Sequence, residues 1–377
     1  MKNIILLFGG ESPEHEISII TAKQIFAKCD LKKYNVYPIY LDKEHKFKYI
    51  PEFHKFNTFK DFKDLKKINI KIIIENGQTV FYLGNLRKLK DIYAALLTFH
   101  GGEGENGKIQ GFLDTLKIPY TGPSVKGSVY GIDKIVMKYI LEKNNIPIVP
   151  WTYISKHDWE ENKDKCIKKI KELDKYPLIV KPSSLGSSIG VKKVDNDNEL
   201  IDIIDSDILY DEFIIIEVFK ENLVEITYSL LKDKDIILFS LSEEIEKNMN
   251  IVYSYSDKYL SGDKNKSKSE GMANSKKKIP ANIPETLDKR IKETAKKIYV
   301  SLNSQSLVRI DYLVDIKNNK FYPIEINTIP GSLSFYLWEA KGVQFREIID
   351  IMIETSVLDF KKQDKFISNI DSPLWDF

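Results

Sequence analysis

Residues 306–337 place charged side chains inside two strand-like apolar segments. The segments from Ser306 to Val314 and from Phe321 to Ile326 alternate in the manner of half-buried strands joined by a turn. Each carries two polar residues at alternate positions, namely Arg309 and Asp311 in the first and Glu325 and Asn327 in the second. Because side chains two positions apart share one face of a strand, we expect these groups to converge.

Buried charge is costly unless it is paired or binds a metal, and two interpretations of this hairpin satisfy that requirement. In the first, Arg309 and Asp311 form an ion pair beside a strand-end Glu325 and an Asn-Thr turn. In the second, Asp311, Glu325 and Asn327 hold Mg²⁺, because hard oxygen donors suit a magnesium ion that also takes substrate phosphates. The hairpin by itself leaves both open.

Composition excludes several other classes of protein. The chain of 377 residues is 42% hydrophobic, which fits a globular protein of two or three domains. Its net charge of +2 provides no overall field for nucleic acid or anionic membranes, so neither is an expected partner. Cys29 and Cys166 have neither metal-site nor disulfide spacing. The N-terminal apolar run is too short for a signal peptide and no run could span a membrane, so a cytoplasmic location is expected.

The N-terminal part resembles the opening of a Rossmann-like unit. A buried strand from Asn3 to Phe8 breaks at Gly9-Gly10 and leads into a helix, but no G-x-G-x-x-G motif is present. Glu14 falls in the first turn of that helix, where capping is as good an explanation as function. The acidic glycine-rich segment HGGEGENG, residues 100–107, follows a predicted strand, at the end of the strand where open α/β sheets bind ligands.

The middle of the chain contains a helix with two lysines on one face, followed by a loop that could bind phosphate. Val125 to Asn144 is predicted to be helical, with Lys134 and Lys138 on one face, although solvated lysines would give the same pattern. A short strand then runs through Lys181 into SSLGSSIG, residues 183–190, whose backbone N–H groups and hydroxyls can line a polyphosphate. This loop is not a P-loop, because its lysine precedes the glycines and a strand follows.

Further along, acidic residues are set in predicted strands and a polar segment follows them. Glu217 ends the strand from Phe213 to Val218, and Glu225 lies in the alternating segment that follows. Acidic side chains at such places often hold adenine or ribose. Residues 261–279 are polar and are predicted to form a mobile loop, either a lid or a linker.

Taken together, these segments resemble the motifs of the D-alanine:D-alanine ligase family of ATP-grasp enzymes, in the same order, from Asn3 to about Ser356. The matching segments are GGESPEHEIS (9–18), HGGEGENG (100–107), YTGPS with IDK (120–134), IVKPSSLGSSIG (179–190), SDKYLSG (256–262), RIDY (309–312) and EINTIPG (325–331). A chance coincidence of seven ordered segments is hard to sustain.

The resemblance implies an α/β (α+β) chain with an ATP-grasp fold and an N-terminal Rossmann-like domain. The implied parts are residues 1–122 for that domain, 123–210 for a central subdomain, 211–356 for a C-terminal subdomain and 357–377 for a tail. It also implies a homodimer that uses D-alanine and ATP, with Mg²⁺ at two sites and Mn²⁺ as an alternative ion. One D-alanine carboxylate attacks the γ-phosphate, and a second D-alanine then displaces phosphate from the acyl phosphate.

By resemblance, each site residue receives a role. Asp311, Glu325 and Asn327 are the magnesium ligands. Arg309 and the N–H of Gly331 form the oxyanion site. Binding of the first substrate's ammonium group and closure of the lid are assigned to three linked residues, Glu14, Ser187 and Tyr259. Binding of ATP is assigned to Lys134, Lys181 and Lys258 at the phosphates, Ser188 in the loop, and Glu217 and Glu225 at adenine and ribose.

Three departures from the family pattern concern charge and the acceptor. Leu185 stands where an acidic residue is common, and Gly102-Glu103 differ in charge from other members. Beginning five residues past Gly331 the family usually has Ser-Leu, whose Ser binds the acceptor carboxylate, whereas this chain has Tyr336 and Leu337. The acceptor is therefore D-alanine or, as the alternative, D-lactate, D-serine or another amino acid. A nucleotide-binding regulatory protein without turnover is a remote alternative, against which the intact Arg309 and Glu14 argue.

Overall fold

The computed structural model describes residues 1–85, 87–185, 190–245 and 277–364. Its first sheet has seven strands in the order β6-β5-β4-β3-β2-β1-β7, of which β1 pairs in parallel with β2 and β7 while the rest are antiparallel. These strands are β1 Lys2–Gly9, β2 Tyr34–Leu41, β3 Phe47–Tyr49, β4 Ile68–Glu75, β5 Gln78–Leu83, β6 Arg87–Leu89 and β7 Ile92–Leu97. The helices of this part are α1 His15–Lys28, α2 Phe59–Asp64 and α3 Lys108–Thr115.

Apolar and alternating segments predict strands at 3–8, 36–41, 71–75, 79–83 and 94–99, and β1, β2, β4, β5 and β7 confirm them. Strand β1, which lies between β2 and β7, is buried from Ile4 onward, as expected for a parallel strand covered on both faces. Glycine is required where β1 ends, because Gly9 has a φ of 99° and a Cβ there would lie 2.2 Å from the carbonyl oxygen of Leu41. The chain can therefore turn directly from β1 into α1.

A second, antiparallel sheet has the order β10-β9-β11-β8. Its strands are β8 Trp151–Ser155, β9 Leu178–Pro182, β10 Lys192–Val194 and β11 Phe213–Val218, and the helices in this part of the chain are α4 Val125–Ile132, α5 Lys134–Lys143, α6 Lys156–Glu161, α7 Lys163–Lys171 and α8 Asp197–Asp207. Strand β11 follows residue 211, where the C-terminal subdomain was predicted to begin, yet it pairs within this central sheet.

Two predicted helices are each divided by a capping residue. The helix expected from Val125 to Asn144 breaks at Asp133, whose side chain accepts hydrogen bonds from the backbone of Ile135 and Val136 and so begins α5. The helix expected over residues 155–176 breaks at Asn162, which caps α7 in the same way. Apolar periodicity continues through both breaks, so the pattern alone did not reveal them.

The third sheet has the order β15-β14-β12-β16-β17, with β13 also paired to β12. Its strands are β12 Val224–Asp233, β13 Ile236–Phe239, β14 Glu243–Ile245, β15 Lys277–Lys278, β16 Leu307–Asp315 and β17 Lys320–Asn327. The helices in this part of the chain are α9 Glu285–Ser301, α10 Phe335–Glu339 and α11 Phe345–Gln363. Short 3₁₀ turns cover Phe53–Lys55, Gly102–Gly104 and Gly331–Ser334. The predicted hairpin is confirmed by β16 and β17.

Helix α11 connects the first and third sheets. It is longer than the predicted Phe345 to Thr355, and its buried residues join the same apolar cluster as β1, β2 and β7. At the middle of this helix the carboxylate of Glu354 accepts hydrogen bonds from Lys2 at 2.9 Å, Tyr34 at 3.0 Å and Tyr93 at 2.7 Å. Within the described ranges, no helix is both long and apolar enough to cross a membrane.

The contacts of Glu354 predict an acid-dependent contribution to stability. Although burial alone would raise it, hydrogen bonds from Tyr93, Lys2 and Tyr34 lower the pKa of Glu354 from 4.5 to about 2. A lowered carboxyl pKa stabilises the fold above the ordinary value and loses that effect as the pH falls through the folded value. We expect Glu354→Gln to melt below the unmodified protein at pH 7.

The difference in melting temperature should shrink below a pH of about 4.5 and vanish near a pH of about 2. Thermal unfolding followed by circular dichroism across this range measures it. Glu293→Gln, an exposed change on α9, is the matched control and should show no such pH-dependent difference. A Glu354→Gln deficit of the same size at every pH would rule out the ionised carboxylate as its source.

Candidate functional site

The register of the third sheet gathers polar residues into rows on one face. Glu243 of β14 is opposite Thr227 of β12, Thr227 is opposite Asp311 of β16, and Asp311 is opposite Glu325 of β17. The next row contains Ser229, Arg309 and Asn327. Directly opposed residues point to the same side of a sheet, and so do residues two apart on a strand. The convergence predicted for the hairpin is therefore present and extends to β12 and β14.

Asp311 is the most heavily bonded residue of this face. Arg309 donates to it from Nε at 2.9 Å and from Nη2 at 2.8 Å. Thr227 Oγ1 donates at 2.8 Å and Asn327 Nδ2 at 3.2 Å. Burial opposes the charge on Arg309, but Asp311 raises its pKa well above the ordinary value. The simpler interpretation of the hairpin, an Arg309–Asp311 ion pair, is therefore confirmed. This ion pair does not exclude the other interpretation, in which Asp311, Glu325 and Asn327 hold Mg²⁺.

The oxygen atoms beside this ion pair fit a magnesium ion. Glu325 lies directly opposite Asp311, and the Asn327 amide is within 3.2 Å of an Asp311 oxygen. Rotating the side-chain amide of Asn327 by a half-turn about its last bond exchanges the positions of its nitrogen and oxygen without changing the shape of the side chain. Two carboxylates and one amide oxygen then face the same space, which is a donor set suited to Mg²⁺. Asp311, Glu325 and Asn327 are thus able to hold the ion.

A cluster of buried lysines lies on the central sheet. Glu217 of β11 and Lys181 of β9 are diagonal neighbours on antiparallel strands, and their Oε2 and Nζ atoms are 2.9 Å apart. Lys138 of α5 approaches the other Glu217 oxygen at 2.5 Å and is 1% exposed. Lys134, one helical turn earlier, is also buried and donates to the carbonyl oxygen of Leu185 at 2.7 Å. The alternative that Lys134 and Lys138 are solvated lysines on a helix surface is therefore wrong, because both are buried.

The charges of this cluster do not balance within it. Lys138 and Lys181 both contact the one carboxylate of Glu217, and Lys134, one helical turn before Lys138, is affected by the charge of Glu217 without contacting it. Burial alone would raise the pKa of Glu217, but Lys138 and Lys181 lower it to about 2, so this carboxylate stays ionised. Burial lowers the pKa of both Lys134 and Lys138. These four groups together carry a net positive charge, and the carboxylates of Glu325 and Asp211 also act on Lys134. Several ammonium groups held together in a buried place favour binding of an anion.

The lysine cluster and the acidic face belong to one site. Glu325, on β17, and Glu217, on β11, both raise the pKa of Lys134 against the larger effect of its burial. Glu225 lies on β12 two positions before Thr227 and therefore faces the same side. Both oxygens of Glu217 are paired with lysines, so its predicted contact with adenine or ribose stays a prediction.

Loops of the first sheet complete the site. Ser12 Oγ donates to the carbonyl oxygen of His100 at 2.6 Å, and a Cβ on Gly101 would lie 3.3 Å from the carboxylate of Glu14. Glu14 is the N-cap residue of α1 and its side chain makes no capping hydrogen bond, but its charge still lies at the helix N-terminus, so both interpretations of Glu14 stay predictions. Burial is the main cause that raises the pKa of Glu105 to about 8, with Glu14 and Glu325 adding to it. The HGGEGENG segment therefore reaches the acidic face.

The turn that begins at Gly331 is held against α1. Ser332, Leu333 and Ser334 have φ values of 50°, 52° and 48°, a left-handed conformation that is unfavourable for residues other than glycine. Ser332 Oγ donates to Gln24 at 2.5 Å, and its backbone N–H donates to Thr21 Oγ1 at 3.4 Å. Thr21 also bonds His100 at 2.9 Å. Burial lowers the pKa of His100 to about 4, so its ring is neutral at physiological pH.

Tyr336 and Leu337 follow on α10. Leu337 is fully buried, and the Tyr336 hydroxyl donates to Glu243 Oε2 at 2.7 Å. Burial and the Glu243 charge raise the pKa of Tyr336 well above the ordinary value, while Arg309 opposes that rise. Glu243 lies in the same cross-strand row as Asp311, the partner of Arg309, so position 336 is at the β14 end of that face.

Several predicted site residues lie outside the described ranges, and several residues at or near the site were not predicted from the sequence. Ser187, Ser188, Lys258 and Tyr259 are outside, as is all but the end of the predicted mobile loop. Glu105, Thr227, Glu243 and Lys277 were not singled out, although the structure places them at or near the site. The only sequence signal for Thr227 is its position two residues after Glu225. Glu243 and Lys277 become neighbours only through strand pairing.

Comparisons with known proteins agree with this geometry. The family model described as D-ala D-ala ligase N-terminus matches residues 3–123, and the one described as D-ala D-ala ligase C-terminus matches residues 140–354. The D-alanine–D-alanine ligase of Thermosipho africanus is 39% identical, covering 100% of this chain and 99% of the relative. The ligase of Clostridium novyi is 33% identical, covering 94% and 98%.

Solved structures lead to the same family. The D-alanine–D-alanine ligase of Coxiella burnetii has a TM-score of 0.79 and 26% identity, covering 97% of this chain and 96% of that one. The Bacillus anthracis enzyme complexed with ATP has a TM-score of 0.69 and 25% identity, covering 96% and 100%. The chain therefore belongs to the D-alanine–D-alanine ligase family and has the ATP-grasp fold that its ordered motifs predicted.

Proposed function

We propose that this chain joins two D-alanine molecules at the expense of ATP, for synthesis of the peptidoglycan precursor D-alanyl-D-alanine. The observation that carries the proposal is the buried excess of lysine charge beside a row of carboxylates. Such an arrangement suits a polyphosphate with its magnesium ions. Transfer of a phosphoryl group requires mainly positioning and neutralisation of charge, and these are what the buried lysines and carboxylates offer.

The reaction has two steps. The carboxylate of the first D-alanine attacks the γ-phosphate of ATP, forming an acyl phosphate and releasing ADP. The amine of the second D-alanine then attacks the acyl carbon, and phosphate leaves. We assign neutralisation of the phosphates to Lys134, Lys181 and Lys258, and the negative oxygen of the tetrahedral intermediate to Arg309 with the N–H of Gly331. Arg309 is fixed for that task by its two bonds to Asp311.

Metal binding is assigned to Asp311, Glu325 and Asn327, with two ions per site and Mn²⁺ as an alternative to Mg²⁺. When bound, the metal supplies positive charge at the transferred phosphoryl group. Glu14, with Ser187 and Tyr259, is assigned to the ammonium group of the first D-alanine. Ser188, Glu217 and Glu225 are assigned to ATP. A Cβ at Gly101 would lie 3.3 Å from the carboxylate of Glu14, so the HGGEGENG segment closely approaches that carboxylate, which supports its assignment to this end of the site.

The acceptor is assigned as D-alanine, bound near Tyr336 and Leu337. D-lactate, D-serine or another amino acid is the alternative, because Tyr336 replaces the serine usual in the family. A homodimer in the cytoplasm is part of the proposal. So is a three-domain division, with the boundary after the central subdomain moved past β11 because that strand pairs with β8 and β9.

The proposal is tested by the dependence of ATP turnover on D-alanine. Purified protein with ATP and Mg²⁺ should release ADP and phosphate in equal amounts when D-alanine is added, together with D-alanyl-D-alanine identified by mass. D-lactate and D-serine, each added with D-alanine, test the alternative acceptors. ATP binding without any D-alanine-dependent turnover would instead support the regulatory alternative.

Metal binding predicts a specific loss in Glu325→Gln. The change keeps the size of the side chain and removes the charge that holds Mg²⁺, so we expect ligation to fall at least about a hundredfold, as for other losses of transition-state charge stabilisation. Half-saturation by Mg²⁺ should also move to higher concentration, which is measured by titrating activity and, independently, Mn²⁺ binding by electron paramagnetic resonance. Glu339→Gln, exposed on α10, is the control. Unchanged Mn²⁺ binding in Glu325→Gln would remove this residue from the metal site.

The lysine cluster predicts a loss of stability in Lys138→Met. This change keeps the length of the side chain but leaves Glu217 with one of its two cations, and breaking a buried ion pair costs about 3 to 5 kcal/mol. We expect a comparable fall in the free energy of unfolding, measured in urea, and a higher KM for ATP because Lys181 is less well fixed.

Lys143→Met is the matched control, since Lys143 is exposed on the same helix α5. It should change the free energy of unfolding little, as expected for a single surface substitution. If Lys138→Met and Lys143→Met unfold at the same urea concentration, Lys138 is not held by Glu217 in solution.

A further inference from the structure

A trio of polar side chains, with Glu243 buried and Tyr336 and Lys277 partly exposed, lies at the β14 end of the row that contains Thr227, Asp311 and Glu325. Glu243 is 2% exposed, and its Oε2 accepts the hydroxyl hydrogen of Tyr336 at 2.7 Å. The ammonium group of Lys277 is 2.9 Å from the other oxygen and 4.6 Å from the centre of the Tyr336 ring. Lys277 therefore contacts both Glu243 and Tyr336.

The trio faces the same space as the proposed catalytic residues. Glu243 is joined to Asp311 through their shared partner Thr227, and all three point to one side of the sheet. Lys277 is opposite Ile245, two positions from Glu243, and so lies on that side as well. Arg309 and Asp311 both influence the pKa of Tyr336. The trio thus adjoins the proposed oxyanion site and the subsite assigned to the acceptor.

Hydrogen-bonding capacity distinguishes Tyr336 from Lys277. A phenol has one hydrogen to donate, and that of Tyr336 is used by Glu243. A substrate carboxylate contains only acceptors, so this hydroxyl has no donor left for it. An ammonium group has three hydrogens, and its positive charge strengthens each bond to a carboxylate. Lys277 can therefore hold Glu243 and a second carboxylate together.

We propose that Lys277 binds the carboxylate of the second amino acid, a task that a serine hydroxyl performs elsewhere in the family. Glu243 is a positioning residue that orients the Lys277 ammonium and the Tyr336 hydroxyl, and the Tyr336 ring forms a wall of the acceptor subsite. The inference rests on the proposed ligase function. It assigns the acceptor a chemical class, namely small amino acids or hydroxy acids with a free carboxylate.

A competition between two acceptors tests this assignment. Protein, ATP, Mg²⁺ and D-alanine as donor are mixed with equal concentrations of D-alanine and D-alaninamide as acceptors, and the two dipeptide products are measured by mass spectrometry. The ratio of the free-acid product to the amide product does not depend on the fraction of protein that is folded. We expect the unmodified protein to favour the free acid strongly.

In Lys277→Met the product ratio should fall about ten- to a hundredfold, the range for one hydrogen bond to a charged group. Lys277→Arg should keep most of the preference, because it keeps the charge. Lys278→Met is the matched control: it changes the neighbouring lysine of β15, whose side chain is exposed and lies 3.6 Å from Glu244, and should leave the ratio unchanged. In Tyr336→Phe the product ratio should stay within about threefold of that of the unmodified protein. The hydroxyl that this change removes donates to Glu243 and not to the substrate carboxylate.

Two outcomes would overturn the inference. In one, Lys277→Met retains the ratio of the Lys278→Met control, so that the Lys277–Glu243 pair only joins β14 to β15. In the other, Tyr336→Phe loses the preference while Lys277→Met keeps it, so that the phenol binds the carboxylate. Failure of the ligase proposal itself is distinguishable, since the unmodified protein would then form neither dipeptide.

Discussion

The register between β12, β16 and β17 is the constraint on which the site depends. A slip of one residue would turn Arg309, Asp311, Glu325 and Asn327 to the opposite face. Apolar side chains prevent that slip, because Ile226, Tyr228, Ile310 and Tyr312 alternate with the polar residues and are fully buried. Moving them to the charged face would expose large apolar surfaces and bury charges among them. The core of the third sheet thus fixes the geometry of the ion pair, and the ion pair fixes the guanidinium that the proposed reaction uses.

The lysine cluster depends on a different balance. Lys134, Lys138 and Lys181 are buried around one carboxylate, an arrangement that a chain selected only for stability would avoid. Glu217 reduces the penalty without removing it, because its single charge cannot neutralise three. The unbalanced charge is tolerable because the surrounding strands and α5 are well packed, with Leu141, Ile215 and Ile216 fully buried. An anion completes the balance, so the same feature that weakens the unliganded protein creates affinity for a polyphosphate.

Sequence reasoning succeeded where a local pattern carries the information. The hairpin and five strands of the first part were predicted from alternation and turn residues. It could not decide whether Lys138 is buried, because a lysine one turn from Lys134 looks the same on a solvated helix. It missed the helix breaks at Asp133 and Asn162, since side-chain caps do not disturb the apolar period. The proximity of Glu243 and Lys277 could not be predicted from the sequence, because it depends on pairing of β14 with β15.

The site also requires the three sheets to hold one another in place. Ser332, Leu333 and Ser334 adopt left-handed backbone conformations, each unfavourable by about 1 to 2 kcal/mol. Such strain persists only where neighbouring contacts outweigh it. Here α1 supplies them through Gln24 and Thr21, and Thr21 is tied in turn to His100 of the first sheet. Helix α11 then anchors the third sheet to β1 and β7 through Glu354. The turn that begins at Gly331 is therefore shaped by the N-terminal part of the chain, which explains why a site built mainly on the third sheet still depends on α1 and the HGGEGENG segment.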